Sequence, residues 1–200
     1  MNNYVGIIVA FITGVLGPVV VILVKNWLGS RKQKPDIVKE ALKVSELVNH
    51  KLDEIREEFN ADRVWITQFH NGGNFYPTGK SIAKFSVIYE TVNQDVTSIQ
   101  TNFRNIPVNL FSKSINQLLE NNKIVIPDYK DVTIATYGLK YVAESTSCKS
   151  GYLFAIKTID DKFIATLGLD YTKKIVSLTD HQIIELEKQA SILSGVLMTY

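Results

Sequence analysis

Cysteine is nearly missing from this 200-residue chain, with Cys148 as its one representative. One thiol cannot close an internal disulfide, form a CxxC redox pair or complete a multi-cysteine zinc site. Histidine is scarce too. His50, His70 and His181 are the only three, and no HxxxH or HExxH spacing or carboxylate-rich calcium loop occurs, so no metal is expected. An excess of one charge is also lacking: the net charge is +2, too even for a nucleic-acid partner. The phosphate-cradling patterns GxxxxGKS/T and GxGxxG and the nucleophile elbow GxSxG are absent, which removes P-loop, Rossmann and α/β-hydrolase chemistry. The reading is a non-enzyme without a cofactor. For Cys148, within STSCKS, two readings stand: an inert residue before a strand, or a thiol activated by Lys149.

Charge vanishes altogether from Tyr4 to Val24, YVGIIVAFITGVLGPVVVILV. As a helix this stretch reaches roughly 30 Å, the depth of a bilayer's hydrocarbon. A cleaved signal peptide would open on basic residues and run a shorter apolar core. The expectation is one membrane helix over 4–28, after a short extracytoplasmic end at 1–3 and before a basic hinge at 29–35. Lys25, Arg31, Lys32 and Lys34 follow the span and no Lys or Arg precedes it. The basic side is retained in the cytoplasm, so the amino terminus is expected outside and the rest of the chain inside the cell membrane. Tyr4 and Trp27 suit the two interfaces.

Residues 36–59 lack Gly and Pro and read as a long connecting helix. Val38, Ala41, Ser45, Val48, Leu52, Ile55 and Phe59 recur every three or four residues. That period suits the seam of a homodimeric coiled coil, and equally a helix lying on its own domain's sheet.

From 60 to 200 the pattern turns to strands and helices. RVWITQF (63–69) is β-branched and aromatic and runs into Asn71-Gly72-Gly73; KFSVIYETV (84–92) returns from it. Pro107 opens a helix that ends at Asn121-Asn122. KIVIPD (123–128) is a short strand, and a short helix is expected near Tyr137 to Val142. GYLFAIKTI and KFIATLGLDYT form a hairpin about Asp160-Asp161, and Thr179 with Gln182 makes a capping box for the last helix. The class is α+β, an antiparallel sheet with helices at both ends of the chain.

Polar groups in QFHNGGNFYPTG (68–79) have two readings. The glycines account for a hairpin corner, while His70, Asn71 and Asn74 also suit hydrogen bonding at the edge of a ligand cavity. Tyr76, Phe85, Tyr89, Tyr129, Tyr137 and Tyr141 either fill the core or wall such a cavity.

Three stretches carry a resemblance. FNADRVWITQFHNGG, GYLFAIKTIDDKFIATLGLDY and SLTDHQIIELEKQASILSGVL are similar to the first strand, closing hairpin and terminal helix of the GAF-domain superfamily. The match covers roughly residues 36 to 200, and its motifs are structural. It implies a GAF-like sheet that senses or binds a small molecule through His70, Asn71, Asn74, Tyr76, Phe85, Tyr89 and Tyr137. The specialised members' marks are missing. The methionine-sulfoxide reductases use several cysteines. Phytochrome-type members attach a bilin beside a Cys-His pair, where this chain has Lys149. Cyclic-nucleotide binders pair an Asn-Lys, present here as Asn122-Lys123, with a downstream Phe-x-x-x-Asp-Glu that does not follow. A second layout stays open: the T-even phage holins also place an α/β domain of this size behind one span, which would make the chain a membrane-permeabilising lysis protein.

Overall fold

A computed structural model describes residues 4–6, 11–30, 36–75, 77–131, 133 and 137–198. The chain divides into two units, Met1–Glu40 and Ala41–Tyr200.

In the first unit, a π-helical turn at Ile12–Leu16 runs into helix α1, Gly17–Ser30. Pro18 has no N–H to give to the preceding turn, and the backbone widens immediately before it. Side chains from Val19 to Val24 are all exposed apolar groups. Residues 7–10, near the start of the expected span, and Arg31, Lys32 and Lys34 of its basic flank lie outside the described residues. Among the described residues, no helix is long and apolar enough to cross a membrane.

Helix α2, Ile37–Glu58, begins where the Asp36 carboxylate accepts the amides of Val38 and Lys39 at 3.1 and 3.3 Å, a side-chain cap for otherwise unpaired donors. Asn60 ends it in the left-handed region. The rest of the second unit is a six-stranded sheet with helices on both faces. Its strands are β1 (Arg63–Asn74), β2 (Ser81–Val92), β3 (Ile106–Pro107), β4 (Lys123–Ile126), β5 (Ser150–Lys157) and β6 (Phe163–Tyr171), in the order β3-β2-β1-β6-β5-β4. Every neighbouring pair is antiparallel. Helices α3 (Ser112–Asn121), α4 (Tyr137–Ser145) and α5 (Asp180–Leu197) complete it. The expected capping box is present. Thr179 Oγ1 accepts the Gln182 amide at 3.3 Å, and the Gln182 side chain accepts the Thr179 amide at 3.0 Å.

The junction before β1 is built by charge. The Asp62 carboxylate accepts the amides of Thr172 and Lys173 at 2.7 and 3.0 Å. Burial works against its charge, but these donors prevail and hold the carboxyl below its usual range.

Two expectations are corrected here. Asn71-Gly72-Gly73 is not the corner of the first hairpin, because β1 continues through it to Asn74. The turn comes later and is closed by Phe75 N–H to Lys80 O at 2.8 Å and Gly79 N–H to Phe75 O at 2.8 Å. Gly72 and Gly73 instead make a bulge: pairing slips between Asn71 and Asn74, and Gly73 has φ 99°. A Cβ on Gly72 would stand 2.3 Å from the Lys84 side chain. The second correction concerns the proposed dimer seam. Val48, Leu52, Ile55 and Phe59 are buried within their own domain. They join Val64, Ile66, Phe154, Leu167, Leu186 and Leu193 in one core. That leaves Val38 and Ala41 exposed and gives the heptad spacing an intramolecular cause.

The opposite face of the sheet carries a second, smaller core of Leu118, Ile124, Ile126, Leu139 and Leu153, with Trp65, Phe111 and Tyr129 packed on it. Gly168 sits between Trp65 and Leu153 in the strand register, and the Trp65 ring occupies the space its side chain would take. A Cβ there would come within 2.2 Å of that ring. Gly168→Val is therefore expected to cost about 1–3 kcal/mol in a urea titration. In combination with Trp65→Leu, the loss is expected to be smaller than the sum of the two single losses.

Candidate functional site

Residues 93 to 105 connect β2 to β3 with no helix or strand of their own, an unusual length for a connection inside a domain. Groups of the sheet and of α2 hold this segment in place. At its start, Asn93 Oδ1 accepts from Arg56 Nη1 at 2.6 Å, and the Asn93 amide donates to Asp62 O at 3.0 Å. In the middle, Arg63 Nη1 donates to Thr97 O at 2.9 Å. Glu90 accepts the amides of Ile99 and Gln100 at 2.8 and 3.1 Å and the Ser98 hydroxyl. At its end, Val87 N–H donates to Phe103 O and Asn105 N–H to Ser86 Oγ, both at 2.8 Å.

Arg63 and Glu90 belong to a buried charged cluster on this face. Arg63 is fully buried and donates from Nε and Nη2 to Asp170 Oδ2 at 2.8 and 2.6 Å. Trp65 Nε1 donates to the same oxygen at 3.0 Å, and a Glu90 oxygen lies 4.0 Å from Arg63 Nε. One guanidinium thus spans carboxylates from β2 and β6 while its remaining nitrogen carries the loop. This uses the planar fork of arginine in a way lysine would not reproduce.

Between the held segment and α4 lies an open cleft of about 730 Å³. One wall is the segment itself, with Val96, Thr97, Ser98, Ile99, Asn102 and Phe103. The other is α4 and the turn after it, from Gly138 through Tyr141, Val142 and Ser145 to Ser147. Gly138 lets α4 come close: a Cβ there would be 3.0 Å from Leu110 O and from the Phe111 ring. Ile99, Phe103, Phe111 and Val142 also line a narrow extension of about 70 Å³ that reaches Trp65, Phe69, Phe85, Leu118 and Leu153 on the sheet. Phe69, Phe85, Phe111 and Phe163 meet edge to face there, at 4.9 to 6.5 Å between ring centres. The site has an aromatic floor and walls that mix apolar side chains with hydroxyls and an amide.

The structure gathers few of the residues expected from the sequence. Phe85 lines the apolar extension, and Tyr141 stands exposed at the cleft. His70 is in mid-strand with Nε2 2.9 Å from Ser86 Oγ, the hydroxyl that braces Asn105. Asn71 and Asn74 are exposed on the far end of β1. Tyr89 packs into the core on the opposite face of the sheet, so it is withdrawn from the site. Tyr129 covers Gly151 beside the second core. Tyr76 lies outside the described residues, as does the side chain of Tyr137. Sequence reasoning missed Thr97, Ser98, Asn102, Phe103, Ser145 and Thr146; the signal for the first four was the 13-residue stretch without strand or helix pattern, and Ser145 and Thr146 at the end of α4 carried none.

Cys148 is away from the cleft. It is buried, its thiol donates to Ser150 O at 3.1 Å, and it borders a separate hollow with Tyr129 and Lys140. Burial, helped by the Asp170 carboxylate, pushes the thiol far above its ordinary pKa, which favours the inert reading over the activated one. The native thiol is expected to react with a maleimide at least ~100-fold more slowly than Lys174→Cys, an exposed position, because reaction must await opening of the domain. Timed labelling read by mass spectrometry checks this.

No protein-family model matches the chain, and no curated protein does. Solved structures do. The blue-light absorbing form of the PixJ GAF domain from Thermosynechococcus elongatus superposes with a TM-score of 0.63 at 15% identity, covering 81% of this chain and 89% of that one. A phycocyanobilin-bound GAF domain from a cyanobacterial phytochrome gives 0.61 at 16% identity, covering 80% and 87%. A far-red cyanobacteriochrome photoreceptor gives 0.61 at 10% identity, covering 91% and 97%. At such identities the likeness speaks to architecture, and the architecture is clear: this chain has a GAF-like fold.

Proposed function

We propose that the protein is a membrane-tethered, non-enzymatic sensor whose GAF-like domain takes a small molecule in the cleft between α4 and residues 93–105. The observation that carries this reading is the cleft's construction. An aromatic floor lies under a wall with no regular structure, and buried charges fix that wall to the sheet. A molecule seated there touches the same segment that Arg56, Arg63 and Glu90 hold. Its arrival therefore bears on α2 through Asn93, which suits a reporter of occupancy better than a catalyst.

The solved relative described as phycocyanobilin-bound raises a bilin as a candidate. The residues here do not fit one attached through cysteine. Cys148 is buried, spent on a backbone carbonyl and outside the cleft lining, so no attachment step is drawn through it.

The cleft is tested by extracting small molecules from the purified full-length chain and from Ser145→Trp, an exposed cleft position. The reading expects a species retained by the first and lost from the second; identical extracts overturn it. For the tether, the reading keeps residues 4–28 in the bilayer and the domain in the cytoplasm, on the charge asymmetry of the flanks. Lys174→Cys is then expected to resist an impermeant maleimide in intact cells and to react after lysis. Labelling of intact cells places the domain outside and sinks that part. Pairing of two copies remains part of the proposal, through side chains left exposed such as Val38, Leu47, Ile184 and Ile192. Sedimentation of the solubilised chain tests it, a monomer at all concentrations counting against it.

A further inference from the structure

If the cleft is the ligand site, as proposed above, its lining also states which charge it accepts. Among the described residues that line it there is no Lys, Arg or His. Its one acid, Asp95, is already met by Lys173 at 3.1 Å. The remaining polar lining is hydroxyl and amide, among it Thr97, Ser98, Asn102, Ser145, Thr146 and Thr172. Ser145 and Thr146 stand at the carboxyl end of α4, where the carbonyls of a helix leave partial negative charge. Of the apolar lining, Phe103 and Phe111 lead down to the aromatic floor.

From this arrangement we infer that the cleft takes a ligand bearing no negative charge, with a flat apolar body toward Phe103 and Phe111 and a hydroxyl, amide or amine head among the hydroxyls of the rim. A phosphate or carboxylate entering here gives up water and meets no unpaired cation in return, since Lys173 is engaged by Asp95. The buried guanidinium of Arg63 offers nothing to it, since Nε and Nη2 go to Asp170 and Nη1 to Thr97 O. A hydroxyl or ammonium head finds acceptors instead. The inference separates this domain's ligand from cyclic nucleotides and from any acid carried by its carboxylate.

Tryptophol, tryptamine and indole-3-acetate share one ring and differ in the head, so they read the charge preference directly. Binding is measured by equilibrium dialysis of the full-length chain, with Ser145→Trp and Thr97→Trp as filled-cleft backgrounds. Both positions are exposed, and together they guard against one variant misfolding. The alcohol and the amine are expected to bind above both backgrounds, and the acid at least ~10-fold more weakly. Ser145→Lys is expected to tighten the acid at least ~10-fold by supplying the missing cation. If the acid binds wild type as well as the alcohol does, and both filled variants abolish that binding, the charge inference falls while the cleft stands. If the filled variants bind every compound as wild type does, the cleft reading falls and the inference with it.

Discussion

Arg63→Ala is expected to destabilise the domain by about 3–5 kcal/mol, the range for removing one partner of a buried ion pair. The reason lies in what the substitution leaves behind. Asp170 is 6% exposed and keeps only the Trp65 indole N–H as a donor from the cluster. Glu90 loses its nearby cation, and Thr97 O loses its donor. An uncompensated buried carboxylate is costly because the interior solvates it poorly. The double replacement Arg63→Met with Asp170→Leu removes both charges and is expected to recover much of the loss. Urea unfolding of the three proteins measures this. A second readout follows from the bond to Thr97: amide hydrogen exchange over residues 97–100 is expected to rise in Arg63→Ala under native conditions. A single variant of near wild-type stability would mean that the pair does not hold the sheet to the cleft wall.

Leu52→Ala is the other large effect, expected at about 2–5 kcal/mol. Leu52 is fully buried on α2, in the core that also takes in residues of the sheet and α5, so the substitution opens a cavity within one chain. The loss is therefore expected to be independent of protein concentration. A dimer seam would give the opposite result, since stability shared between chains varies with concentration. Leu42→Ala, on the exposed side of the same helix, is expected to change stability by less than about 0.5 kcal/mol. The contrast decides between the two readings that the heptad spacing alone leaves equal.

That ambiguity shows where the sequence is legible and where it stops. Local chemistry reads well. The Thr179 and Gln182 box, the Asp160-Asp161 turn and the stop of α3 at Asn122, with φ 61°, need only neighbouring residues. Partner choice reads poorly, because a stripe every three or four residues serves a second helix or a sheet alike. Bulges defeat strand alternation. On β2, Phe85 and Val87 face the cleft opposite Phe69 and Thr67, and strict alternation would put Tyr89 beside them. The register instead slips between Ile66 and Thr67, which turns Tyr89 into the core of the other face. The glycine pair at 72–73 misleads for a similar reason, since positive φ serves a bulge as well as a turn. The cleft itself depends on Arg63 reaching Asp170 and Thr97 and on β2 holding residues 98–100. Such long-range pairings leave little trace in a single sequence beyond an unpatterned connection.

The central claim is that small-molecule binding happens between α4 and residues 93–105. The most direct test is hydrogen–deuterium exchange on the full-length chain, with and without a deproteinised extract of the cells that express it. The account predicts protection confined to about residues 95–103 and 138–146, the two walls of the cleft, and its absence in Ser145→Trp. Protection centred on the hairpin around His70 and Asn74, or protection unchanged by the filled cleft, would contradict it.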